Sequence, residues 1–105
     1  MKKIKQRDAQ KFNRILFSLN QLGTESIENA TEETAKKVIK MLKQHKKTAE
    51  KLTTIPEIDL FIEIIDDFIS VYTAILDGKY KKSYELQNMA NRKARELMRR
   101  WKFGV

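Results

Sequence analysis

The chain predicts an all-α fold, a single-domain antiparallel four-helix bundle with short connections. Three observations carry that expectation. Apolar residues recur at helical spacing in four separate stretches, and no stretch sustains the alternation of a strand. Three glycines and one proline in 105 residues are too few to punctuate a sandwich or barrel. The length suits one domain, and no internal repeat or low-complexity linker divides it.

The first helix is predicted over residues 2–22. Ile4, Phe12, Ile15, Leu19 and Leu22 fall within one arc of a helical wheel, with Lys3, Arg7, Gln10 and Arg14 on the far side. Gly23 reads as its C-terminal stop, because glycine tolerates the left-handed conformation. Phe17 stands off the main apolar face and marks a second contact surface.

The second helix is predicted to start between residues 24 and 31 and to run to 53. Thr24, Asn29 and Thr31 each suit an N-cap, and Glu25, Glu28, Glu32 and Glu33 suit the positive end of a helix dipole. From Ala35 the pattern is a heptad seam of Ala35, Val38, Leu42, His45, Ala49 and Leu52. The residue before proline is pushed out of the α region, so Ile55-Pro56 ends this helix, and Pro56 suits the first turn of the next.

The third helix, 56–77, is the most apolar. Its isoleucines, phenylalanines, leucines, valine and tyrosine cover more than half the circumference at about 100° per residue, leaving a stripe of Asp59, Glu63, Asp66, Asp67, Ser70 and Asp77. Such a helix is flanked on several sides or pairs with a second copy, with Leu60, Ile64 and Val71 joining Phe17 as candidate partner-interface residues. Asp77-Gly78 closes it. The fourth helix, 79–103, buries Leu86, Ala90, Ala94, Leu97 and Trp101, joined by Tyr80 and Met98. Short connections make sequential helices antiparallel neighbours.

The formal charge of +8 is unevenly spread. Residues 1–22 are basic, 23–35 acidic, 36–53 basic, 54–78 acidic without a single Lys or Arg, and 79–105 basic. On the second helix Lys36, Lys40, Lys43, Lys47 and Lys51 form a ridge spanning roughly 22 Å at 1.5 Å per residue. On the fourth, Lys81, Asn88, Arg92, Arg95 and Arg99 form another, with Lys102 nearby. Arginine forks pair bidentately with phosphate, which lysine does not do.

Several classes fall away. Without cysteine there is no disulfide, thiolate nucleophile or zinc finger. The lone His45 sits on the apolar seam, where a core role outweighs ligation or catalysis. The acidic stripe lacks converging histidines, so basic neighbours explain it more cheaply than a metal. Phosphate-cradling and nucleophile-elbow motifs are missing. No catalysis, cofactor or metal is therefore expected. The basic start from Met1 to Asp8 is followed by no apolar segment, and no run reaches the roughly 20 residues of a membrane span. The expectation is a cytoplasmic, nonenzymatic protein that contacts nucleic-acid phosphates, DNA or RNA undistinguished, alone or as a subunit of a larger nucleoprotein complex. Lys36, Lys40, Lys43, Lys47, Lys51, Arg92, Arg95 and Arg99 are its contact residues. The alternatives are an adaptor or inhibitor meeting an acidic protein, a homodimer formed through the third helix, and a peripheral binder of anionic membranes.

Overall fold

The computed structural model describes residues 3–101. It is an all-α four-helix bundle of α1 (Gln6–Thr24), α2 (Glu32–Ala49), α3 (Ile58–Leu76) and α4 (Tyr80–Arg100), with a short 3-10 turn at Ile27–Asn29 between α1 and α2. Contacts run in opposite directions along every sequential pair. His45 and Met41 of α2 meet Ser18 of α1, Lys46 meets Asp66 of α3, and Lys93 of α4 meets Glu63 and Asp67. Helix α4 returns along α1, with Trp101 at Asn13 and Asn91 at Gly23. Helix α3 packs closely on both α2 and α4, which explains its wide apolar arc.

The capping chemistry resolves the uncertain boundaries. Of the three candidate caps for the second helix, Thr31 is the one used: its hydroxyl accepts from the Thr34 amide at 3.1 Å. Glu32 and Glu33 then occupy the first turn, where they complement the dipole and pair with Lys36 and Lys37 one turn on. Helix α2 stops at Ala49 rather than 53, and Leu52 completes the seam from the turn beyond. Pro56 sits in that connection, just ahead of the Glu57 cap, not in the first turn of α3. At the far end of α3 the Lys79 amide donates to Ala74 and the Gly78 amide to Ile75, with Gly78 at φ 72°. This is a Schellman closure, and it requires the left-handed residue that glycine supplies.

Gly23 plays another part. It lies inside α1, which continues to Thr24, and its φ is not positive. It permits close approach instead: Asn91 of α4 lies against it and donates to its carbonyl at 3.1 Å.

The core is one cluster containing Phe12, Leu19, Leu42, Phe61, Phe68 and Leu97, all fully buried. Each such side chain contributes roughly 1.5–3 kcal/mol through removal from water. Toward the end where α1 and α3 begin, the Phe12 ring meets two others, with centroids 4.2 Å from Phe61 and 4.4 Å from Trp101. Tyr80 and Met98, expected on the buried face of the fourth helix, are exposed instead. Met98 lies toward the outer edge of α4 beside α1, and Tyr80 is the first residue of its helix. No helix among the described residues is long and apolar enough to cross a membrane.

Candidate nucleic-acid interface

The acidic stripe of α3 runs between α2 and α4 and is gripped from both sides. Lys46 reaches Asp66 at 2.9 Å; Lys93 reaches Glu63 and Asp67, each at 2.8 Å. These contacts favour the charged ammonium, so Asp66 raises the pKa of Lys46, and Asp67 followed by Glu63 raises that of Lys93. Neither lysine belongs to the two ridges. Both border the buried seam of their own helix, Lys46 beside Leu42 and Ala49, Lys93 beside Ala90 and Leu97. Their wheel positions are the signal that marks them as internal partners.

The ridges themselves stay outside. Lys36 pairs with Glu32 at 3.0 Å. Lys40, Lys43, Lys47 and Lys51 are exposed and make no ion pair among the described residues. On α4, Arg92 and Arg95 are likewise exposed and without an ion pair among the described residues. Arg99 and Arg100 converge on Glu96, and that contact holds the Glu96 carboxyl below its ordinary value. Lys81 and Asn88 are exposed farther up the same helix, while Lys102 lies outside the described residues.

Helices α2 and α4 flank α3, and each ridge points away from its own helix's buried seam. The lysines and arginines therefore occupy different flanks of the bundle. What they share is an end. Because α2 and α4 run parallel, their C-terminal halves lie together, beside the beginnings of α1 and α3. Residues 3–20, 42–70 and 91–101 make up this half and carry fourteen Lys and Arg against eight Asp and Glu. Residues 21–41 and 71–90 make up the other half and carry six of each. The excess positive charge of the described bundle therefore sits at one end of a particle 45 Å long. Lys43, Lys47, Lys51, Arg92, Arg95 and Arg99 belong to that end; Lys36 belongs to the balanced half, and Lys40 stands just inside its edge.

A polar staple shapes this end. Asp8, buried in the first turn of α1, accepts from the Thr54 hydroxyl at 2.6 Å, and the Lys5 amide donates to the same hydroxyl oxygen at 3.2 Å. It ties the start of α1 to the α2–α3 connection. Asp8 at the third helical position is a sequence signal for this role, since a carboxylate suits the N-terminal turn.

The candidate partner-interface residues divide. Phe17 is 57% exposed, as its position off the apolar face implies. Leu60 is half-buried, and Ile64 and Val71 are fully buried within the bundle. The last two therefore offer no surface to a second copy: α2 and α4 cover the face that the sequence left open. His45 is half-buried, its Nε2 3.3 Å from Ser18 Oγ, and burial lowers its pKa. No protein-family model, curated protein or solved structure matches the chain.

Proposed function

We propose that this is a nonenzymatic binding protein of a reducing compartment such as the cytoplasm, which holds nucleic-acid phosphates at the basic end of its bundle. One observation carries the reading. Glu63, Asp66 and Asp67 of the acidic helix are answered by Lys46 and Lys93, while Lys43, Lys47, Lys51, Arg92 and Arg95 are exposed and make no ion pair among the described residues. Like charges crowded on a helix repel, and a polyanion that displaces their counterions relieves that repulsion while gaining affinity.

The test compares two charge reversals of equal size. Lys47→Glu with Lys51→Glu alters the basic end; Lys79→Glu with Lys82→Glu alters the balanced half. Fluorescence anisotropy with a labelled oligonucleotide is expected to show the first pair weakening binding at least tenfold and the second far less. Affinity is expected to fall steeply with salt, with a log–log slope of roughly −0.9 per duplex phosphate contacted. No binding to DNA or RNA at low salt, salt-independent binding, or equal losses in both variants would each sink the reading. Polyglutamate binding as tightly as nucleic acid would favour an acidic protein as the partner.

A further inference from the structure

The seam between α1 and α4, where the basic half meets the balanced one, holds a feature that phosphate binding alone leaves unused. Phe17 is exposed on the outer face of α1, between two residues that meet α4. One turn before it, Asn13 accepts from the Trp101 indole; one turn after it, Asn20 donates to Met98 Sδ at 3.6 Å. Met98 is itself 50% exposed. Alongside Asn20 and Met98 an open cleft of about 370 Å³ straddles the border of the two halves, with Gly23, Thr24, Asn91 and Arg95 among its walls. Its electrostatics are one-signed. Residues 9–24 contain no Asp or Glu, and the only carboxylate from residue 86 to 100, Glu96, is held by Arg99 and Arg100.

We infer that this seam binds single-stranded nucleic acid, with an unpaired base stacked on Phe17 and the adjoining phosphates on Arg14, Arg92 and Arg95. The inference rests on the phosphate-binding reading and names its substrate class. An exposed aromatic face among arginines and amides is the surface on which splayed bases stack, whatever their identity. A duplex keeps its bases stacked on one another and presents no free face to Phe17. An acidic amphipathic helix needs a groove with anchor pockets at successive turns. Among the described residues the seam offers only Phe17 and Met98 as exposed apolar anchors, set among polar side chains, so charge complementarity selects the polyanion.

The experiment uses Phe17→Ala and Phe17→Trp, which alter an exposed side chain and leave the core intact. Each is titrated with a 15-nucleotide oligothymidylate and with a duplex of equal length at low salt. Phe17→Ala is expected to lose single-strand affinity by roughly 5-fold or more, with duplex affinity unchanged. In Phe17→Trp the new indole is expected to be quenched by the single strand and not by the duplex, against the steady background of buried Trp101. If both oligonucleotides bind but Phe17→Ala is silent, weakens both equally, or the new indole is not quenched, the stacking site is wrong while the basic end stands. If neither oligonucleotide binds the unaltered protein, both readings fall together.

Discussion

Trp101, one residue past the end of α4, donates its indole N–H to Asn13 Oδ1 at 2.6 Å while its ring lies against Phe12. A residue at the edge of the described chain is thus 5% exposed and belongs to the core. Trp101→Ala is expected to cost about 3–5 kcal/mol, the usual range for deleting a large buried aromatic. Urea denaturation followed by circular dichroism measures it. A loss below about 1 kcal/mol would show that the end of α4 contributes little to the core.

Gly78, in a turn, and Gly23, inside α1, predict different behaviour. Gly78 has a left-handed backbone with open space around it, so Gly78→Ala is destabilising by about 1–2 kcal/mol through backbone strain alone. At Gly23 a new Cβ would overlap the Asn91 side chain, which swings aside and loses its bond to the Gly23 carbonyl. That loss of about 1 kcal/mol is offset by the better helix propensity of alanine, so Gly23→Ala is expected to be nearly neutral. In an Asn91→Ala background the same substitution is expected to stabilise by about 0.5–1 kcal/mol. Thermal melts of the four proteins decide it.

Gln87 gives a third prediction. Its Nε2 donates to the carbonyls of Leu22 and Glu25 at 3.2 and 3.1 Å, closing the end of α1 from another helix. Gln87→Leu leaves those carbonyls without this donor and is expected to cost about 1–3 kcal/mol. Faster amide exchange at residues 21–25, read by NMR, is the accompanying local signature.

His45 makes stability depend on pH. Burial lowers its pKa from the ordinary 6.5, so below that value the unfolded chain binds a proton that the folded protein resists. The His45 contribution to stability is therefore complete above pH 6.5 and declines as pH falls toward the lowered value. The imidazole Nε2 and Ser18 Oγ share a hydrogen bond, and the glutamine amide can either donate or accept in its place. His45→Gln is expected to flatten this part of the decline. Urea midpoints between about pH 5 and pH 8 provide the comparison.

Lys93 and Lys46 differ in how firmly they hold α3. Lys93 meets two carboxylates and is the more enclosed; Lys46 meets one at the surface. Lys93→Met is expected to lower the urea midpoint more than Lys46→Met, because Asp67 is also more enclosed than Asp66 and loses its counter-charge. Equal midpoints would show that enclosure makes no difference here.

Much of the fold was legible because the helical period was strong. The Ala35–Ala49 seam, the Phe12–Leu19 face and the stop at Gly78 all follow from local rules that tertiary packing did not override. The boundary errors come from residues whose role is tertiary. Gly23 looks like a helix stop, yet it serves the approach of Asn91, sixty-eight positions away. Ile64 and Val71 looked like surplus apolar surface because one helix cannot show how many neighbours cover it. The candidate site was half legible. Both basic ridges were visible as spacings, but their common end emerges only when the parallel course of α2 and α4 is known. The same holds for Phe17 and Met98, which only the tertiary fold sets along one seam.

The longitudinal imbalance of charge gives this molecule an electric moment along its long axis. In the field of a polyanion such a particle feels a torque before it feels a contact, turning the end that holds Lys47, Lys51 and Arg95 forward. That steering raises the fraction of productive encounters at low ionic strength. At physiological salt it fades beyond about 8 Å, leaving recognition to the surfaces that touch.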